Sequence, residues 1–243
     1  MIEFAGIRSD QMYVIVEHYP KRYVPKRRYN VQVVPGRSGD IVVEESDDAF
    51  DNYTQPYSVF LDSKAPGLSM ASRGLTEWLL GSVGYQRLED SYDPDFYRMA
   101  YYSGGEDFLN FFNEYGRGTL TFTCAPKRFY KSGEVPITLE SGTKLYSPST
   151  FKARPIFKLT GSGDCTITVT DKNNVSKVFT INDVSGQIEI DSERHTTIKM
   201  ADGTSANTNV QSPYENLILP KESTITFSSG VSELIIIPRW WTV

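Results

Sequence analysis

Histidine and cysteine are almost missing from this chain: of 243 residues, two are His and two are Cys. That scarcity removes several kinds of chemistry. His18 and His195 stand in no metal-ligand spacing such as His-Glu-x-x-His, and Cys124 and Cys165 form no Cys-x-x-Cys pair. Two cysteines do not make a disulfide framework, so both are expected as reduced, buried thiols. A Gly-x-Ser-x-Gly elbow and a phosphate-binding loop are also missing. No apolar run approaches the length needed to cross a bilayer. Met1-Ile-Glu-Phe lacks the basic head and apolar run of a signal peptide, so synthesis in a cytoplasm and no membrane partner are expected. A net charge of -5 argues against a dedicated nucleic-acid binder. On this reading the chain has no catalytic residues, no metal ligands and no cofactor.

What is abundant points to β structure. Fifteen Tyr and thirteen Phe favour strands, and Gly and Pro recur throughout as turns require. Gly118-Thr-Leu-Thr-Phe-Thr-Cys124 alternates with period two, and Tyr13–Glu17, Tyr29–Val34, Asp40–Glu44, Tyr57–Asp62 and Phe96–Tyr102 also read as strands. One stretch has a helical period. In Leu68–Leu80, Leu68, Ala71, Leu75, Trp78 and Leu79 fall on one stripe, with Ser69 as expected N-cap and Gly81 as expected left-handed stop. Leu75, Trp78 and Leu79 are the predicted helix core, laid across a sheet.

The predicted organisation is a mainly β protein. An N-terminal β-sandwich-like domain with one helix spans 1–130, a Gly/Pro/Ser/Thr-rich linker 131–152, and a C-terminal β-sandwich 153–243. Seven short strands are expected in the last part, with Pro155–Leu159 separate from Asp164–Thr170, and Ser176–Ile181 separate from Gln187–Asp191.

Candidate sites are few. Asp93 with Asp95, or Glu89 with Asp90, are the carboxylate pairs a wall-degrading glycosidase would need. Such pairs in an acidic loop are more often surface features. Asp47-Asp48-Ala-Phe-Asp51 lacks the Asp-x-Asp-x-Asp-Gly pattern of a calcium loop. Lys21–Arg28 is a basic, aromatic loop that suits phosphate or an acidic partner, or is simply solvated. Trp240-Trp241 and the tyrosines suit a sugar-stacking platform, a core or a subunit interface. Pro35-Gly-Arg-Ser-Gly-Asp40 is a hairpin turn in which Gly36 and Gly39 can take positive φ on either side of Arg37 and Ser38.

Several motifs, in order, carry a resemblance over nearly the whole length. They are Phe4-Ala-Gly6, Val34-Pro-Gly-Arg-Ser-Gly-Asp40, the Trp78-Leu79 helix, Leu88-Glu-Asp-Ser-Tyr-Asp-Pro-Asp-Phe-Tyr97 and Gly118–Pro126. In the second part Ala153–Gly163, Ile188–Glu193 and Ile235-Ile-Ile-Pro-Arg-Trp240 continue the series. With them the chain resembles the distal tail protein (Dit) family of phages with long, non-contractile tails. The resemblance implies a galectin-like, jelly-roll sandwich in the second domain and a homo-hexameric ring at the distal end of the virion tail. Pro35, Gly36, Arg37, Ser38, Gly39 and Asp40 would then belong to the ring interface. The implied partners are the tail tube protein, the tape-measure protein and a tail-associated fibre or lysin protein, with receptor-binding or baseplate proteins as further candidates. DNA would be met only in passage. The alternative function is a carbohydrate-binding module contacting host cell-wall saccharide.

Overall fold

Alternation of inward apolar and outward polar residues builds most of the chain, so it is mainly β. The computed structural model describes all residues except 18, 45, 47, 63, 66, 103 and 105–116, together with the side chains of 44 and 68. Two compact units divide it, Met1–Arg128 with Val243, and Phe129–Thr242.

In the first unit β1 (Ile2–Phe4), β2 (Ile7–Arg8), β3 (Val14–Val16), β4 (Tyr29–Gln32), β5 (Ile41–Glu44) and β6 (Tyr53–Leu61) precede α1 (Leu68–Leu80). After it come β7 (Gln86–Asp90), β8 (Phe96–Tyr102) and β9 (Arg117–Tyr130). One sheet runs β2-β1-β7-β8-β9-β6-β3, while among the described residues β4 and β5 pair only with each other. The helix lies where the 3.6 period places it. Leu75, Trp78 and Leu79 are buried with Ile2, Phe4, Leu88, Leu120 and Phe122. Each large side chain buried there contributes about 1.5–3 kcal/mol. Trp78 also ties α1 to β1, since its indole N–H donates to the Phe4 carbonyl at 2.9 Å and its ring meets Phe4 edge-on at 6.4 Å. Both helix ends differ from expectation. Gly67, not Ser69, is the N-cap, at φ 124° and with no side-chain cap; Gly81 ends the helix in right-handed geometry at φ -70°, donating to the Glu77 carbonyl.

The second unit contains β10 (Ile137–Leu139), β11 (Thr143–Tyr146), β12 (Ile156–Asp171), β13 (Ser176–Asp191), β14 (Thr196–Lys199), β15 (Glu222–Phe227), β16 (Val231–Ile237) and the short β17 (Trp241–Thr242). Residues 131–152 are therefore not a linker: β10 pairs with β16 and β11 with β15. Two expected strand pairs also fuse, giving the 16-residue β12 and β13, paired along their length. The first half of β12 pairs with β16 and its second half with β15, with register shifts at Thr160/Gly161 and Gly163/Cys165. A bulged strand that changes neighbours in this way bends one layer over into the next. Phe157, Leu159, Ile167, Phe179, Ile181, Ile225, Leu234 and Ile236 fill the space between.

At the bend the backbones touch. A Cβ on Gly161 would lie 2.5 Å from the Gly230 carbonyl oxygen and 3.1 Å from Cys165 Sγ. Further along, Asp191 fastens the C-terminal segment by accepting from Arg239 Nη1 at 3.0 Å and Nη2 at 2.7 Å, and it also accepts from the Glu193 and Arg194 amides. Burial alone would raise the Asp191 pKa, but the Arg239 hydrogen bonds and the two amides outweigh it and hold the group below the usual carboxylate value.

Two outcomes are expected. Gly161→Ala costs about 1–3 kcal/mol of stability by overpacking the bend, read as a lower urea midpoint with unchanged slope. Because the folded pKa of Asp191 is depressed, its contribution is complete above about pH 4 and is lost as pH falls through the folded value. Asp191→Asn therefore lowers Tm at neutral pH and flattens the acid limb of the Tm–pH curve.

Candidate functional site

The β4–β5 hairpin exposes a run of apolar side chains. In the period-two pattern Tyr29, Val31 and Val33 share one face, and Val42 sits opposite Val31 on that same face. All four are open to solvent, from 49% for Tyr29 to 77% for Val33. The turn beyond them is as the residues suggest: Gly36 is at φ 83° and Gly39 at φ 79°, with the Arg37 amide donating to the Val34 carbonyl at 3.1 Å. Pro35, Gly36, Arg37, Ser38, Gly39 and Asp40 are all exposed at this tip. Leu75, Trp78 and Leu79 are buried and serve the core.

What holds the hairpin's base is the basic loop before it. The Arg28 side chain donates to Asp51 at 2.7 Å, the Arg27 guanidinium lies over the Phe50 ring at 4.7 Å, and the Asp51 amide donates to the Lys26 carbonyl. Further back, Tyr19 Oη donates to the Tyr92 carbonyl, Gln55 Nε2 donates to the Lys21 carbonyl, and Arg22 pairs with Asp93 at 3.4 Å. The loop's arginines thus meet partners within the unit, which weakens the phosphate-binding reading.

Asp93 belongs to a buried ion network that sequence reading missed. Asp90 Oδ2 accepts from Arg98 Nη1 at 2.8 Å and from Tyr57 Oη at 2.9 Å, while Oδ1 accepts from the Tyr92 amide. Asp93 Oδ2 accepts from Arg128 at 2.9 Å and lies 3.4 Å from Arg98. The Arg128 guanidinium rests on the Phe96 ring, and Arg98 Nε and Arg128 Nε have no acceptor among the described residues. Burial, with Asp90 beside it, pushes the Tyr57 phenol well up, and burial with Cys124 nearby takes Tyr53 to about 12. Burial opposes the charge on Arg98, yet Tyr57, Tyr53 and Asp90 together hold its pKa above the usual value. The only signal in the sequence was the acid run Glu89–Asp95 followed by Arg98; Arg128 is too distant in sequence to suggest the pairing.

The other candidates fare differently. Asp90 and Asp93 are occupied by arginines, and the cavity beside them is only about 10 Å³, space for one water and not for a sugar. Asp48 pairs with Lys127 and Asp51 with Arg28, while Asp47 and His18 lie outside the described residues. His195 stacks flat on Tyr214 with Nε2 3.4 Å from Glu215. Trp241 is buried, stacked on Phe151 at 4.5 Å and donating to the Lys152 carbonyl, and Trp240 packs against the second core, so neither is a sugar platform. Cys124 and Cys165 are free and buried; burial pushes the Cys124 thiol up to about 12 and raises that of Cys165. Among the described residues no three His, Cys, Asp or Glu side chains gather as metal ligands. No helix of the described residues is long and apolar enough to cross a membrane.

Removing one partner of a buried pair strands the other's charge. Arg98→Met is therefore expected to cost about 3–5 kcal/mol. Pairing it with Asp90→Leu recovers part of that loss, and urea titration of the single and double variants measures the difference.

No protein-family model matches the chain, and no curated protein matches it. Among solved structures, the Dit protein (gp 19.1) of phage SPP1, described as a paradigm of the hub adsorption apparatus in phages infecting Gram-positive bacteria, is similar over 97% of this chain and 96% of that one, at a TM-score of 0.72 and 13% identity. The baseplate of phage P2 in its activated conformation with Ca aligns over 92% of this chain and 89% of that one, at a TM-score of 0.49 and 8% identity. At such identity the likeness to SPP1 Dit is one of architecture: this chain has a Dit-like β fold.

Proposed function

We propose that the protein is a non-catalytic hub of a phage tail, located at the distal end of the virion. In this reading six copies form a ring that joins the tail tube to the adsorption apparatus below it. The observation that carries the reading is the β4–β5 hairpin. A two-stranded ribbon is at best marginal in water by itself, and this one, paired into no larger sheet among the described residues, leaves four apolar side chains open to solvent. Such a ribbon is expected to gain its support from a neighbour. The fold shared with the SPP1 hub protein over nearly the full length supports the choice of a tail hub over an enzyme. The occupied carboxylates Asp90 and Asp93 point the same way.

A closed ring needs two different patches on each copy, one meeting the other around the circle. The hairpin supplies one, with Tyr29, Val31, Val33 and Val42 as its apolar part and Pro35–Asp40 as its tip. The tail tube, the tape-measure protein and a tail-associated fibre or lysin protein are the partners this reading assigns along the tail axis, with receptor-binding or baseplate proteins beyond. The second unit is read as a galectin-like sandwich.

Light scattering and negative-stain imaging test the proposal. The expected result is a particle of six, or two stacked sixes, of the 27.4 kDa protomer, formed alone or on adding tail tube protein. Val31→Lys with Val42→Glu, an opposite-charge pair across the two strands, should abolish the ring while changing stability by no more than about 0.5 kcal/mol, as for exposed positions. A parent protein that remains a monomer with and without the tube protein overturns the ring.

A further inference from the structure

We propose that the first unit holds a single monatomic anion, with the size and charge of chloride, between the loop at 19–22 and strand β8. The site does not depend on ring building. The cavity there has a volume of about 10 Å³, and its wall includes Lys21, Arg22 and Arg98 together with Asp90 and Asp93. A cavity of that size takes one small sphere and has no room for a polyatomic anion such as sulfate.

Charge selects the ligand. Asp93 Oδ1 lies 3.4 Å from Arg22, and its Oδ2 lies 2.9 Å from Arg128 and 3.4 Å from Arg98. The Asp90 oxygens are taken by Arg98, Tyr57 and the Tyr92 amide. Three guanidinium groups thus share two carboxylates, and Lys21 adds positive charge at the cavity wall. Much of this excess is out of water, since Arg98 and Arg128 expose only 7% and 12% of their side chains. Arg128 registers it: burial lowers its pKa, Asp93 works against that, and Arg22 and Arg98 lower it further. Hydrogen bonding points the same way. Arg98 Nε and Arg128 Nε are buried donors without an acceptor among the described residues, and an unpaired donor on a charged group is costly. An anion meets both demands. A water would supply an acceptor and leave the excess charge, and a cation would add to it.

The site is held in place before any anion arrives. Tyr19 Oη donates to the Tyr92 carbonyl at 3.1 Å and Gln55 Nε2 donates to the Lys21 carbonyl at 2.9 Å, so the loop is fixed by bonds that do not use the arginines. On the sheet side, Arg98 Nη1 is fixed by donating to Asp90 at 2.8 Å and to the Tyr57 hydroxyl at 3.2 Å. Groups braced in this way lose little freedom on binding. The anion then joins Arg22 on the loop to Arg98 on the sheet, and so helps to seat the segment that leads to the hairpin.

The test is a titration of the full chain with sodium chloride, with sodium isethionate keeping the ionic strength constant so that general screening does not change. Chloride exchanging with a protein site broadens the NMR line of the free ion. Saturable broadening is expected, reversed by bromide and not by sulfate at the same ionic strength. Tm should rise with chloride in the same series and level off, because the anion binds the folded state. Arg22→Gln removes one positive wall group at a half-exposed position and should weaken chloride about fivefold or more. Lys144→Gln makes the same charge change in the second unit and should leave the affinity as it is. The absence of saturable broadening overturns the proposal. So does displacement by sulfate as readily as by bromide, or an affinity that Arg22→Gln leaves unchanged or that Lys144→Gln lowers equally.

Discussion

The first unit depends on a charge placed where charge is costly. Arg98 and Asp90 expose only 7% and 3% of their side chains. Removing both ions from water costs several kcal/mol each, and the pair offsets this only if every lone pair and proton is used well. Asp90 comes close, accepting from Arg98, Tyr57 and the Tyr92 amide. Arg98 does so less completely, because its Nε lacks an acceptor among the described residues. The network therefore adds little net stability over an apolar core, and its effect is positional. Tyr57 is on β6, Asp90 on β7, Arg98 on β8 and Arg128 on β9, so one cluster fixes four strands relative to one another. Asp93 then extends the cluster to Arg22, and the loop that leads to the hairpin is placed by the same charges that hold the sheet.

The second unit solves its closure by backbone instead. Long strands that bend need a residue that can lose its side chain at the bend, and Gly161 against Gly230 provides the approach. Asp191 and Arg239 form the comparable anchor, but it is partly open and joins a strand end to the C-terminal segment, not strand to strand across a core. Two rules of construction in one chain explain why the aromatic residues divide as they do. Phe4, Tyr57, Tyr102 and Phe122 cluster in the first core, where rings must fill space around a helix and a charge pair. The second core is largely Ile, Leu and Val on two facing layers.

Much of this was legible in sequence, and the misreadings have physical causes. The α1 stripe and the Pro35–Asp40 turn were readable because both signals are local: a 3.6 period, and two glycines spaced for positive φ. The 131–152 segment misled because Gly, Pro, Ser and Thr mark loops by composition, whereas β10 and β11 are three and four residues long and owe their pairing to β16 and β15, about 80 to 100 positions away. Gly161-Ser-Gly-Asp164 reads as a turn for the same reason that it works as a bend, since glycine permits both. Strand β6 begins at Tyr53, earlier than its apolar residues suggest, and it keeps Pro56 within a pairing with β9. Asp90 and Asp93 were visible only as members of two other carboxylate pairs, Glu89 with Asp90 and Asp93 with Asp95. Their role was not, because it depends on Arg128 and Tyr57, and only the fold brings those near.

The hairpin raises a question of energy that bears on ring size. Fully burying its four apolar side chains contributes about 1.5–3 kcal/mol each, while association costs about 4–15 kcal/mol in lost motion. A single hairpin contact between two copies therefore comes out near balance, and an open pair has only that one contact. Closing a ring, as proposed, would change the count: the last copy to enter would make two contacts for one loss of motion, so every copy would be held on both sides. A hairpin this small is thus better suited to a closed assembly than to a dimer. It also follows that the ribbon must be presented at a fixed angle, because heterologous contacts close only if each rotation matches the last. Arg28 on Asp51 and Arg27 over Phe50 hold the ribbon's base, and Arg22 on Asp93 ties the loop further back to the buried Arg98–Asp90 cluster, so these contacts together are placed to fix that angle.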